Sequence, residues 1–223
     1  MGDINLYQYP LSPFSEKLRQ VLVHKRLKWN PIDCHHEDKT NLLEITGGQW
    51  TCVPVLEWNG EVVWNSADII KWIDQKVTAR RVILEGMLGL CEVTDQWADN
   101  TLFTPILLLV IPDLLAAAGD AKLTANREKL FGKSGAQMRA GAAAYREQLV
   151  LHVRMIDTQL QGKDFFLGGG VTMADASLYP PLFFLALDPR NFEAVRDFKN
   201  LMRWCERVRD LKQHGGTRRW LAN

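Results

Sequence analysis

The chain is poor in cysteine, has no paired-cysteine motif and carries no excess charge of either sign. Each shortage removes a class of function. Its four cysteines, at positions 34, 52, 91 and 205, include no C-x-x-C pair, and no cysteine and histidine cluster has the spacing of a zinc site. A chain of 223 residues does not need disulfides to hold a core. Four free thiols in a reducing compartment, the cytoplasm, are therefore expected, with no metal. Lysine and arginine number 27 against 26 acidic residues, a formal net charge of +1, which gives no electrostatic footprint for nucleic acid. The start, Met1-Gly2-Asp3-Ile4-Asn5, has no charged segment followed by an apolar run, so no secretory signal is expected. The most apolar stretch, Pro105 to Ala118, holds two prolines and Asp113 and reads as too short and too broken to span a membrane. Internal repeats and low-complexity tracts are also missing.

What is present is an ordinary globular composition, 47% hydrophobic and 24% charged. Ile4 to Tyr9 reads as a short strand. Ser12-Pro13 then marks a helix start, with Ser at the N-cap and Pro at the first helical position. Phe14, Leu18, Val21 and Leu22 follow as an apolar helical stripe. A second strand over Lys28 to Cys34 completes a βαβ unit. A short helix is expected near Leu42 to Ile45. Val53 to Trp58 and Glu61 to Trp64 read as strands joined by Asn59-Gly60, a strong type I′ hairpin signal. Asn65-Ser66 can cap a helix from Ala67 to about Gln75, whose apolar face is Ile69, Ile70, Trp72 and Ile73.

After Val77 the strand pattern stops. Helical stretches are expected at about 85–118, 125–161, 172–187 and 192–212, with Gly168-Gly169-Gly170 as a break and with Pro105 and Pro112 ending or kinking the first. The expected architecture is an α/β domain of order βαβ-α-ββα over residues 1–77, a linker over 78–84 and an all-α domain over 85–223.

Three motifs carry a family likeness. They are Ser12-Pro13-Phe14-Ser15-Glu16-Lys17-Leu18-Arg19, then Val53-Pro54-Val55-Leu56 with Asn65-Ser66-Ala67-Asp68 after the hairpin, and Thr172-Met173-Ala174-Asp175 after the glycine run. In their order, and over the whole length, the chain resembles the cytosolic glutathione S-transferase superfamily. The first motif is similar to the first-helix signature of omega- and zeta-type members, with the serine of the zeta type at position 12 where omega members have cysteine. The resemblance implies a thioredoxin-like N-terminal domain that holds glutathione as co-substrate. It also implies an all-helical domain that shapes a pocket for a hydrophobic, electrophilic small molecule, and a homodimer.

A conjugating enzyme must stabilise the glutathione thiolate, because the protonated thiol is a poor nucleophile. Ser12 is the leading catalytic candidate: its hydroxyl can donate to the sulfur while the helix it opens turns a positive dipole end the same way. The plainer reading is a helix cap alone. Ser15 is the runner-up. A hydroxyl at position 12 cannot form a mixed disulfide, which argues against thiol–disulfide exchange.

The resemblance further assigns glutathione contacts to Phe14, Lys39, Val53, Pro54, Asn65 and Ser66. Val53-Pro54 corresponds to the family's cis-proline site, where the Val53 backbone would pair with the tripeptide as an added strand; an ordinary trans proline is the alternative. Ser66, at a helix start, would hold the γ-glutamyl carboxylate, or act only as a cap. Lys39 would face the glycyl carboxylate, or lie solvated in a loop. Asn65 departs from the family's acidic residue, and the charge that would meet the γ-glutamyl ammonium is gone; Asp99 or another acid from a partner subunit is one compensation. Leu11, Trp97 and Phe103 are candidate walls of the acceptor pocket, with core packing as the alternative for the last two. Thr172 and Asp175 read as a capping box and as structural. Gly132-Lys133-Ser134 echoes a phosphate loop, but Arg127 stands where the first glycine is required. His35-His36 reads as a surface loop.

The function expected is addition or substitution of the glutathione thiolate on an apolar electrophile. Ether cleavage, dehalogenation or isomerisation with glutathione on the same scaffold is a second possibility. Asn65 keeps open a third, a non-catalytic binding module of the same fold.

Overall fold

The computed structural model describes residues 3–35 and 38–213. Strand β1 (Ile4–Gln8) alternates buried and half-buried side chains, and helix α1 (Pro13–His24) carries the chain to β2 (Asn30–Asp33), parallel to β1. After α2 (Thr40–Ile45), strands β3 (Val55–Trp58) and β4 (Glu61–Trp64) form a hairpin, and α3 (Ser66–Lys76) follows. The sheet order is β2-β1-β3-β4, with β3 antiparallel to both of its neighbours. Asn59 and Gly60 both take positive φ, 55° and 80°, as a type I′ turn requires. The strand expected from Val53 begins at Val55, because Pro54 has no N–H to give to a ladder.

The remaining helices are α4 (Leu88–Trp97), α5 (Phe103–Ala118), α6 (Ala121–Phe131), α7 (Gly135–Ala140), α8 (Ala142–Gln159), α9 (Met173–Leu185), α10 (Pro189–Phe192) and α11 (Lys199–Gln213). Neither Pro105 nor Pro112 ends the helix. A π turn over Ala98–Leu102 joins α4 to α5, and the helical run is continuous from Leu88 to Ala118. Proline lacks the N–H that would bond four residues back and its ring crowds that carbonyl. The turn ahead of Pro105 is wide, which gives the ring room. The 31-residue run is long and apolar enough, by length and composition, to cross a membrane. Here it supplies Leu102, Phe103, Ile106, Leu109 and Val110 to a core shared with α8, α9 and α11.

The single helix expected over 125–161 is three. Gly132, at φ 63°, ends α6 in a left-handed cap, and Ser134 opens α7 in a reciprocal capping box with Gln137. The echo of a phosphate loop is thus a helix stop followed by a helix start.

Helix α1 lies between the two halves of the molecule, and every side chain from Ser15 to Leu22 is buried. Leu18, Val21 and Leu22 pack on Ile4, Leu6, Leu56, Ile69, Ile70 and Ile73 under the sheet. Helix α1 also packs closely against α9. Residues 78–84, expected as a linker, form a strap bound to both sides. Val82 is fully buried; its N–H donates to Asp74 Oδ1 at 2.8 Å and its carbonyl accepts from the Met173 N–H at 2.7 Å. Buried Lys25 holds the other end, 2.7 Å from Asp74 Oδ1 and donating to the Val77 carbonyl at 2.7 Å.

At the start of α9, Asp175 is fully buried and its carboxylate accepts four hydrogen bonds. The donors are the Thr172 N–H (2.9 Å) and hydroxyl (2.7 Å), the Phe166 N–H (2.7 Å) and the Trp204 indole N–H (2.8 Å). Burial pushes this carboxyl up, and the four donors oppose the shift. Asp175→Ala leaves four donors with no acceptor, and each buried unsatisfied group costs about 1–3 kcal/mol. The variant should lose about 3 kcal/mol or more in urea unfolding; a loss under about 1 kcal/mol would show that the network is replaceable.

Candidate functional site

The pairing register gathers the candidate residues at one end of the sheet. Tyr7 pairs with Val55, and Val55 with Trp64. The segment leaving β1 toward Ser12, the Val53-Pro54 entry to β3 and the Asn65-Ser66 exit from β4 therefore share one edge. Cys34, just past β2, donates its N–H to the Gln8 carbonyl at 2.8 Å and brings the Lys39 loop to the same end. Two helices, α1 and α3, start there, and both turn the positive end of their dipoles toward it.

Ser12 is the N-cap of α1, with an extended backbone at φ −69° and ψ 122°. Its Oγ accepts the Ser15 N–H at 3.2 Å, and its own proton stays available to an acceptor outside the helix. The loop ahead of it is tied from below. Arg19, largely buried, donates to the Pro10 carbonyl (2.9 Å), to Gln8 Oε1 (2.8 Å) and to Glu16 Oε2 (2.9 Å). Burial lowers the Arg19 pKa to about 10, with Asp33 opposing. Ser15, the runner-up, is fully buried, and its hydroxyl has no hydrogen-bond partner among the described residues.

The Val53-Pro54 peptide bond is cis. Asn65 caps α3 at φ 69° and ψ 125°, with Oδ1 accepting the Ala67 N–H at 3.0 Å. Asparagine is among the few residues that tolerate positive φ, and backbone outliers of this kind collect at ligand sites. Ser66, buried, is the first residue of the helix itself. Lys39 is not free in its loop: its Nζ donates to the Tyr9 hydroxyl at 2.6 Å and lies 5.2 Å from the centre of that ring.

The expected pocket walls separate. Leu11 is 47% exposed beside Ser12. Phe103 is a core residue, edge-on to Phe14 (6.0 Å between centroids) and to Phe184 (5.5 Å). Phe14, expected at glutathione, packs its ring on that core. Trp97 packs edge-on against His152 of α8 at 5.5 Å. Phe103 is buried in that core, and Phe14 and Trp97 are half-buried against it. Among the described residues no three metal-ligating side chains gather; His35 is exposed, and His36 lies outside the described residues.

Residues 6–81 match the model of the glutathione S-transferase N-terminal domain, and residues 139–207 match that of the C-terminal domain. The chain belongs to the glutathione S-transferase superfamily. A probable glutathione S-transferase of Nicotiana tabacum is 22% identical over 217 residues, covering 96% of this chain and 86% of that protein. A glutathione transferase from Phanerochaete chrysosporium superposes with a TM-score of 0.81 at 20% identity, over 94% of this chain and 97% of that one. A glutathione S-transferase from Methylobacillus flagellatus, solved with glutathione bound, gives 0.70 at 17%, over 94% and 98%.

In this transferase-superfamily chain the sequence reading missed the residues that seat α1. Lys17, 1% exposed, places Nζ 2.6 Å from Asp95 Oδ1 and 2.9 Å from both oxygens of Asp99, and Ser177 donates to Asp95 Oδ1 at 2.6 Å. Asp99, considered above as the acid a partner subunit lends, is committed to Lys17 of its own chain. Two carboxylates one helical turn apart, Asp95 and Asp99, were the available signal. Tyr9, the partner of Lys39, was also missed; its signal was an aromatic side chain at the end of the first strand.

Burial and the neighbouring Asp95 push the Asp99 carboxyl up, and Lys17 opposes them. The folded state therefore holds this proton more tightly than the unfolded chain does. The group's contribution to stability is greatest below the ordinary carboxyl pKa and falls as pH rises through the raised value. Asp99→Asn removes that proton and leaves Lys17 a one-to-one partner in Asp95. Urea unfolding of the variant should show a flatter dependence of stability on pH just above the ordinary carboxyl range. An unchanged slope would assign the dependence to other groups.

Proposed function

We propose that the chain is a glutathione transferase in which the Ser12 hydroxyl stabilises the glutathione thiolate for attack on an apolar electrophile. The observation that carries this reading is the Ser12 geometry. Its oxygen is satisfied by the Ser15 N–H, so its proton is the donor presented at the mouth of α1. A hydroxyl donor together with a helix N-terminus favours the anion over the thiol. The gathered sheet end supports the rest of the assignment. Val53 would pair its backbone with the cysteinyl unit. Ser66 and the start of α3 would take the γ-glutamyl carboxylate. Lys39, held by Tyr9, would take the glycyl carboxylate. The acceptor would lie beside Leu11, between this end and the helical domain. By family likeness the protein would act in the cytoplasm as a homodimer.

A non-catalytic module of the same fold is favoured by one observation, the neutral Asn65, whose oxygen already serves the Ala67 N–H. Retention on immobilised glutathione separates the readings: an enzyme is held, and a module that has lost the site flows through.

Ser12→Ala should cut kcat/KM toward an aryl halide at least about tenfold. It should also raise the pKa of the bound thiol by about one unit, equivalent to about 1.4 kcal/mol. Loss of the cap alone costs only about 1 kcal/mol of stability, so activity within about twofold of wild type would remove Ser12 from catalysis. Asn65→Asp keeps a capping oxygen and a residue tolerant of positive φ while restoring the charge. Charge-assisted hydrogen bonds are about twice as strong as neutral ones. Calorimetry should therefore show glutathione bound several-fold more tightly, with the gain shrinking as salt rises. Unchanged affinity would place the ammonium elsewhere.

A further inference from the structure

Helix α1 holds a buried hydroxyl that no hydrogen bond uses. Ser15, in the first turn of the helix, is fully buried, and its Oγ has no partner among the described residues. The other fully buried serine among them, Ser177, is well served: its Oγ lies 2.6 Å from Asp95 Oδ1 and 2.8 Å from the Met173 carbonyl. A hydroxyl taken out of water without a replacement bond destabilises the fold, and alanine at the same place would remove the cost. Such a group in a protein interior calls for an explanation.

Its local backbone partners are already engaged. A polar side chain at this helical position commonly returns to the N–H of the capping residue. The Ser12 N–H instead donates to the Tyr9 carbonyl at 3.0 Å, and the Ser12 carbonyl accepts the Glu16 N–H at 2.9 Å. Ser12 Oγ remains. The Ser15 N–H donates to it at 3.2 Å, at the long end for such a bond, and takes one of its two lone pairs. The Ser15 Oγ hangs from the same residue as that N–H, one side-chain torsion from the second lone pair.

We infer that Ser15 is a positioning residue for Ser12, its hydroxyl turning to donate to Ser12 Oγ when the Ser12 proton is drawn to the thiolate of glutathione. The inference rests on the thiolate role proposed for Ser12. A hydroxyl that donates to an anion gathers charge on its own oxygen and becomes a better acceptor. A donor placed on that oxygen strengthens the bond to the anion in turn. Ser15 thereby adds to thiolate stabilisation without touching the sulfur. Its hydroxyl costs the free protein stability and is used only when the anion is bound.

The test measures the ionisation of bound glutathione from its thiolate absorbance against pH, kcat/KM toward an aryl halide, and thermal melting. It compares wild type, Ser15→Ala, Ser12→Ala and the double variant. Ser15→Ala should melt at or above the wild-type temperature. It should nevertheless raise the pKa of the bound thiol by about half a unit and lower kcat/KM about threefold, the change in thiolate equilibrium that half a unit represents. On the Ser12→Ala background the same substitution should change neither. A thiol pKa raised by Ser12→Ala but unmoved by Ser15→Ala would overturn the inference and leave Ser12 in its role. A pKa unmoved by either, or no bound glutathione in wild type, would remove the proposed function as well. An equal effect of Ser15→Ala with and without the Ser12 hydroxyl would overturn the inference, because Ser15 would then act through another group. A raised pKa with a lower melting temperature would also overturn it, by assigning the effect to a loosened helix.

Discussion

The charged side of α1 is buried, and the arrangement of the two domains follows from how that charge is met. A lysine out of water is tolerable only when its partners are close and its donors are used. Lys17 meets this condition with Asp95, Asp99 and, through Asp95, Ser177. Those partners come from α4, the π turn and α9, so the pairing joins the helix that Ser12 caps to three elements of the helical domain. The strap over 78–84 applies the same logic on the other side, with Lys25 and Asp74 buried together and spending their remaining bonds on backbone groups. Apolar contact alone would let α1 rotate or slide; these directional bonds fix its angle.

That fixed helix explains how residues far apart in sequence share one end of a small sheet. The sheet supplies the register, and α1 and α3 supply two positive dipole ends above it. Arg19 supports the turn between β1 and α1 by donating to the Pro10 carbonyl. The groups at the surface of the site are few and short. Buried polar residues behind them, Arg19 and Lys17 among them, hold the backbone on which they stand.

Local signals in the sequence were legible, and long-range ones were not. The Ser12-Pro13 start, the Asn59-Gly60 hairpin and the Thr172–Asp175 spacing each need only a few neighbouring residues, and each is seen in the structure. Gly132 and Ser134 were equally local, yet were passed over within a stretch read as one helix. The polar face of α1 was illegible for a different reason. Glu16, Lys17, Arg19 and Gln20 look like a solvated surface, and only an acid 78 residues away makes Lys17 a buried residue. The pocket-wall candidates were ambiguous in the same way, because an aromatic such as Phe103 carries no mark in the sequence that tells core from ligand surface. Asn65 was noticed as a missing charge; its positive φ, which makes asparagine a good fit there, shows only in the backbone.

The π turn at Ala98–Leu102 sets the phase of the long helix that contains it. A turn of that width holds about one residue more than an α-helical turn, and each residue advances the helix by about 100°. Excising one residue there would give a straighter, more regular rod. It would also swing everything beyond the splice by more than a quarter of a circle. Phe103 and Ile106 would leave the core while Asp95 stayed with Lys17. Regularity and correct aim are incompatible at this place, and the irregular winding is the solution that keeps both faces of the rod pointed at their partners.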